Sequence, residues 1–186
     1  MELPLEQLHP FRDHPFKVLD DDAMRETVES VERFGVLVPA IARPDPEGGY
    51  ELVAGHRRHR ACALAGMDTM PVIVRELDDD AATILMVDSN LQRETILPSE
   101  RAFAYKMKLE AMKRQAGRPT KENYSQVGNN YGTLSSEEMA AELGTSKNQV
   151  FRYIRLTELI PQLLDLVDQR KIAFNPAYEL SFLKPQ

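Results

Sequence analysis

The chain has 186 residues with one cysteine, and 23 Lys and Arg against 29 Asp and Glu give a formal net charge of −6. That length buries a core without covalent staples, and a single thiol excludes a disulfide framework. No apolar run approaches a bilayer's width, and Met1 opens an acidic, proline-containing stretch with no signal-peptide pattern, so a cytoplasmic protein with no membrane partner is expected.

In chain order, Leu3 to Leu8 reads as a short strand, followed by a loop holding His9-Pro10 and His14-Pro15. Asp20-Asp21-Asp22 caps a helix whose apolar positions Met24, Val28, Val31 and Phe34 recur at three- and four-residue steps and which stops at Gly35. Val36 to Ala42 is the next strand, 44–49 its turn, and Tyr50 to Ala54 the returning strand. Past a second helix, Pro71 to Val74 is a strand, and Asp78-Asp79-Asp80 starts a helix running to about Asn90. These elements make a small mixed α/β domain. From Ser99 onward only helices are expected: one through Phe103, Met107, Leu109 and Met112, a mobile loop over 117–133, a helical pair, and a helix through Tyr178, Leu180 and Phe182.

The second helix carries the strongest chemical signal. It is entered through Gly55 and begins His56-Arg57-Arg58-His59-Arg60-Ala61, putting three arginines and two histidines into its first turns. Backbone N–H groups at a helix start have no internal partner and carry partial positive charge, so this turn suits an oxyanion, and Gly55 would leave it room to approach. Helical spacing places Arg57 and Arg60 on the face shared with Ala61 and Leu64, with Arg58 more outward. A solvated basic helix end has the same composition and stays open. Cys62 reads as a small core residue.

The charge is segregated: residues 1–98 carry 10 Lys and Arg against 19 Asp and Glu, whereas 99–186 carry 13 against 10. Between Arg101 and Lys121, Lys106, Lys108, Lys113, Arg114 and Arg118 add to those two cations with only Glu110 against them, a composition suited to a polyanion. Ser136 to Leu156 then has the skeleton of a helix-turn-helix: small Ala140 at the crossing, Gly144 in the turn, and Val150, Tyr153 and Ile154 inward. Its second helix presents Thr145, Ser146, Lys147, Asn148, Gln149, Arg152 and Arg155, side chains that contact phosphates and major-groove base edges. A helical hairpin without a ligand shares the apolar skeleton, though its tip need not be so polar.

Together these signals resemble the ParB-type partition proteins. The family's phosphate box, Gly-Glu-Arg-Arg-x-Arg-Ala, appears as Gly55-His56-Arg57-Arg58-His59-Arg60-Ala61, and its third box, Glu-Asn-x-Gln-Arg, as Ser89-Asn90-Leu91-Gln92-Arg93. The first box is divergent, with His9 to Phe16 in its place, while Ser30-Val31 and Gly35 to Pro39 match the helix end and following strand. The resemblance spans Leu3 to about Leu183. It implies an α+β chain with a ParB/sulfiredoxin-like nucleotide-binding domain over 1–98 and a helical DNA-binding domain over 99–186, the helix-turn-helix at about 135–156. It further implies binding of CTP with Mg²⁺, closure of a homodimer around a palindromic centromere-like site in double-stranded DNA, association with a nucleoid or plasmid, and a ParA-type ATPase partner. On that resemblance Gly55, His56, Arg57, Arg58, Arg60, Gln92 and Arg93 line the nucleotide and Asn90 sits at the metal. No segment near Gln186 resembles the family's C-terminal dimerisation domain.

Two departures bear on chemistry: His56 and Ser89 stand where the family has glutamates, and neither supplies an anionic ligand to a hard cation. Nucleotide binding is therefore better supported than hydrolysis, and catalytic residues are left unassigned. Sulfiredoxin shares the fold and uses Gly-Cys-His-Arg at this turn, but Gly55 precedes His56 here and Cys62 lies two turns away. A nuclease needs a metal-bound water that the Asp78–Asp80 run does not suggest, and the four histidines lack zinc spacing. The alternative from another class is a sequence-specific transcription regulator without nucleotide turnover.

Overall fold

A computed structural model describes residues 1–93, 95–117 and 131–183. The chain divides into two compact units, Met1–Asn90 and Leu91–Gln186.

The first unit is a mixed five-stranded sheet with three helices. Strands β1 (Glu2–Pro4), β2 (Leu8–Pro10), β3 (Ala40–Pro44), β4 (Tyr50–Ala54) and β5 (Thr69–Val74) lie in the order β1-β5-β3-β4-β2. Only β3 and β4 form a hairpin; β5 runs parallel to β3, and β2 parallel to β4. In β4 four of five residues are buried, which is why its hydrophobic alternation is incomplete: both faces are covered. Leu3, Leu8, Met24, Val31, Ala40, Ala42, Leu52, Ala61, Cys62, Met70 and Val72 form the core. The helices are α1 (Asp22–Phe34), α2 (His56–Leu64) and α3 (Asp79–Leu91). Asp21 caps α1 by accepting from the Met24 N–H at 2.9 Å, and Gly35 ends it at φ 70°.

Four sequence expectations are corrected here. Leu3 to Leu8 is not one strand: residues 5–7 coil into a 3₁₀ turn, and β1 and β2 pair with different neighbours, β5 and β4, on opposite edges of the sheet. His9 and Pro10 consequently belong to a strand rather than a loop. The strand expected from Val36 starts only at Ala40, because Leu37 and Val38 stay 75% and 64% exposed in the loop leaving α1. Phe34 is likewise 61% exposed, off the buried stripe set by Met24 and Val31.

A buried ionic knot ties the sheet to its flanks. Glu51 on β4, 8% exposed, takes Arg43 of β3 through Nε and Nη2, each at 2.6 Å, and accepts from the Arg12 N–H at 3.0 Å. Arg43 also reaches Asp79 at the start of α3 at 2.8 Å.

The second unit is helical among its described residues: α4 (Pro98–Gly117), α5 (Tyr131–Glu142), α6 (Lys147–Arg155), α7 (Pro161–Asp168) and α8 (Phe174–Leu180). Pro98 occupies the first turn of α4, where its missing N–H costs nothing. The start of α4 is also held by Asp168 at the end of α7, which accepts from the Ser99 N–H at 2.9 Å and its hydroxyl at 2.5 Å. Tyr105, Leu109, Met139, Ala140 and Val150 join α4 to the α5–α6 pair; Ala102, Leu156, Leu159, Leu164, Val167 and Ala177 make a second cluster with α7 and α8. The loop expected over 117–133 ends sooner, because α5 begins at Tyr131, and its stretch 118–130, with Arg118 and Lys121, lies outside the described residues.

One cation of the basic run is not at the surface. Lys108 lies on α4 with only 2% of its side chain exposed, and its Nζ meets Glu142 Oε2 at 2.6 Å, locking α4 to the end of α5. Lys108 is desolvated whereas Glu142 is 55% exposed, so loss of the carboxylate from a buried cation costs more than replacing that cation with an apolar chain of similar shape. Glu142→Ala is expected to lower unfolding free energy by about 1–3 kcal/mol in urea titrations, and Lys108→Met by less.

Candidate nucleotide and DNA sites

The turn between β4 and α2 requires glycine for two reasons. Gly55 has φ 106°, a region costly for other residues, and a Cβ built there would stand 2.9 Å from the Ala40 Cβ. The missing side chain therefore makes room for the neighbouring strand.

The arginines are also arranged differently from the spacing argument. Arg58, expected outward, is the one turned inward: its Nη1 donates to the Pro39 carbonyl at 2.8 Å and to that of Val38. The buried positions of α2 are Ala61 and Cys62, whereas Leu64 is 45% exposed, so the buried face runs through 58, 61 and 62 rather than 57, 61 and 64. Burial lowers the Arg58 pKa, and among the described residues no carboxylate pairs with it. Arg60 lies at the surface in a two-pronged pair with Asp20, at 3.0 and 2.6 Å, and Arg57 Nη2 stands 3.6 Å from Asp21 Oδ1. Two of the three arginines thus already face carboxylates from the loop before α1.

His56 opens α2 with its ring 3.8 Å from that of His14, centre to centre, and its Nε2 accepts from the Phe11 N–H at 3.4 Å. The divergent His9 to Phe16 stretch is thereby brought onto the α2 turn, a placement that sequence spacing did not reveal. His59 instead points to the Leu5 carbonyl at 3.2 Å. Asn90 is on α3, its side-chain amide donating to the Met86 carbonyl at 2.9 Å beside Ser89, which donates to the same oxygen at 2.9 Å. Gln92 and Arg93 follow the end of α3, in the second unit. Among the described residues no group of three His, Cys, Asp or Glu could hold a metal ion, and burial pushes the Cys62 thiol up, opposite to an activated thiolate.

In the second unit Gly144, at φ 61°, turns the chain between α5 and α6. Ser146 caps α6, accepting from the Gln149 N–H at 3.2 Å, so its hydroxyl serves the helix. Lys147, Asn148 and Gln149 follow in the first turn, with Asn148 exposed and Lys147 Nζ 3.4 Å from Glu137 Oε1; Thr145 precedes the cap. Arg152 and Arg155 are engaged by α8: Arg152 Nη2 donates to Asn175 Oδ1 at 2.6 Å, and Arg155 Nη2 to the Ser181 carbonyl at 2.7 Å.

A family profile described as the ParB N-terminal domain matches residues 1–91. The chromosome-partitioning protein Spo0J of Thermus thermophilus is 32% identical over the whole chain, which spans 61% of that protein's length. This chain belongs to the ParB family. Its fold is similar to the C-terminally truncated chromosome-partitioning protein ParB of Caulobacter crescentus complexed to the centromeric parS site, with TM-score 0.59, 26% identity, and coverage of 99% of this chain and 86% of that one. A second structure of that truncated ParB, complexed with CTP-gamma-S, is 28% identical and covers 98% of this chain and 92% of its own, with TM-score 0.47.

The stretch that resembles that family's phosphate box, Gly55 to Ala61, occupies a strand-to-helix turn built on Gly55. Gly55→Ala is expected to lower stability by about 2–3 kcal/mol in chemical denaturation, left-handed strain adding to the contact with Ala40. The hydrogen bond to Arg60 holds the Asp20 carboxyl below its ordinary value, aided by the charge of Arg60 and opposed by slight burial. This pair therefore contributes stability above the unfolded carboxylate pKa and loses it as pH falls through the lowered folded value. In an NMR titration the Asp20 carboxyl should move up toward the usual range in Arg60→Gln.

Proposed function

We propose that this ParB chain binds a nucleoside triphosphate at the Gly55–Arg60 turn and a specific DNA site through its helix-turn-helix, and that it acts in DNA partition as a nucleotide-regulated clamp. The observation that carries the first half is Arg58: a half-buried guanidinium at a helix N-terminus, held by carbonyl oxygens and paired with no carboxylate among the described residues. A desolvated cation beside unpaired helix N–H groups favours an anionic ligand. The family resemblance of the boxes names that ligand as CTP. Gly55, His56, Arg57, Arg58 and Arg60 then line the phosphates, with Gln92 and Arg93 completing the third box.

Mg²⁺ fits only as a cation carried by the nucleotide. The residues offer it the neutral Asn90 and Ser89 rather than carboxylates, and magnesium commonly takes few protein ligands beside phosphate oxygens and water. When bound it would offset the negative charge of the phosphates. Asn90, its amide fixed by the Met86 carbonyl, is the residue that would hold it. His56 in place of a glutamate lowers the negative charge near the phosphates, which favours binding and leaves hydrolysis without its carboxylate.

The DNA half rests on the tip of α6, where Lys147, Asn148 and Gln149 stand in the first turn of a helix held by α4, the end that enters a major groove in helix-turn-helix proteins. A homodimer, a palindromic site and a ParA-type ATPase complete the reading. Nucleotide and DNA are coupled through 89–100, which joins the third box to α4, so each ligand should shift the other's affinity.

Calorimetry with CTP and Mg²⁺ tests the first half. Arg58→Ala should weaken binding by about 1.5–3 kcal/mol, and Asp20→Asn should strengthen it by freeing Arg60. Absence of CTP binding to the intact chain overturns the nucleotide reading. For DNA, Asn148→Ala should relax sequence preference, whereas Lys113→Ala should weaken all duplexes alike and flatten the salt dependence. Uniform loss from both variants would show that α6 reads no bases.

A further inference from the structure

Arg152 and Arg155 sit on the helix expected to meet DNA, yet α8 holds the first side chain and the two residues that follow α8 hold the second. The Arg152 guanidinium lies 5.1 Å from the centre of the Phe174 ring and 4.9 Å from that of Tyr178, and it donates to Asn175. Arg155 lies 4.4 Å from the Phe182 ring and donates from Nε to the Ser181 hydroxyl at 3.3 Å and from Nη2 to the Ser181 carbonyl. Tyr153, between them in sequence, packs on Phe174 with ring centres 4.7 Å apart. Neither arginine pairs with a carboxylate among the described residues, so attraction to rings and carbonyl oxygens, rather than charge pairing, sets their rotamers.

We propose that Arg152 and Arg155 are positioning residues, which clamp α6 against α8 and fix the tilt at which the 145–149 tip meets base edges. The inference deepens the DNA-binding reading and rests on it. A guanidinium stacked on two rings and hydrogen-bonded at its edge is confined in direction as well as distance. The two arginines are about 4.5 Å apart along the axis of α6, at 1.5 Å per residue, and they grip two successive turns of α8 and its end. Two grips at different heights oppose both sliding and rotation of a nine-residue helix. The tip carrying Lys147, Asn148 and Gln149 extends beyond these grips, so a small change of tilt at the clamp moves it by more than the tolerance of a bidentate base contact. Phe174, Asn175, Tyr178, Ser181 and Phe182 thereby acquire a role in specificity without standing on the recognition helix.

The test uses a duplex that the full chain itself selects from a random-sequence pool, and a shuffled duplex of equal composition, each titrated over a range of salt. Arg152→Ala and Tyr178→Leu should each lower the ratio of selected to shuffled affinity by about tenfold, comparable to one mismatched base pair, and the double variant should lose no more than either. The salt slope on the shuffled duplex should stay that of the unaltered chain. Arg152→Lys, a milder change that keeps the charge, should also lower the ratio, because an ammonium lacks the flat stack and the edge bond to Asn175. A fall in salt slope of about one in Arg152→Ala, with Tyr178→Leu silent, would assign Arg152 to a phosphate and overturn the clamp. An unchanged ratio in both Arg152→Lys and Tyr178→Leu would overturn it as well. Failure of the unaltered chain to select any duplex would instead remove the DNA reading on which the inference rests.

Discussion

Ala40 lying against Gly55 is the contact on which the first unit depends. The β3–β4 hairpin ends there, and α2 can begin only if the chain turns without a side chain at the crossing. Because Gly55 takes a left-handed conformation, the direction of α2 is set by backbone geometry rather than by its few apolar residues. That direction carries Arg58 back to the Val38 and Pro39 carbonyls, brings His56 against His14, and leaves Arg60 in reach of Asp20. A residue with a Cβ at 55 would disturb the strand pair and the placement of Arg58 together.

The amino-acid pattern disclosed the elements better than it disclosed their faces. Tyr50 to Ala54, the Asp21 cap and the Gly144 turn were legible because β-branching, capping oxygens and left-handed glycine act locally. The helix-turn-helix was legible for the same reason, as Ala140 and Val150 keep their spacing when buried. What failed was choosing between adjacent helical stripes in the nine-residue α2: Ala61 is common to both, and only the packing of Cys62 decides for Arg58. Nor did spacing show that Lys108 would be interior, since a lysine among surface cations looks like another surface cation until Glu142 arrives from a helix 34 residues away. The split of Leu3 to Leu8 depends on two partner strands at opposite sheet edges, which no local pattern encodes.

Electrostatics in the two units follow different rules. In the first, acids outnumber bases, and the loop before α1 supplies carboxylates to Arg57 and Arg60. Such pairs are exposed and weak, so they keep cationic side chains ordered without closing them to a stronger anion. In the second, Arg152 and Arg155 of α6 are held by rings and by oxygens of Asn175 and Ser181, which order a guanidinium while leaving its charge uncancelled. A surface can be kept positive and ordered at once in this way.

The link from Ser99 to Asp168 has a consequence for the order in which the chain acquires structure. The first turn of α4 is secured by a carboxylate 69 residues further along. During synthesis α4 emerges with its donors facing water, and it must wait for about that length of chain before the interaction forms. The second unit is thus closed in the manner of a ring, its earliest helix fastened by the end of α7.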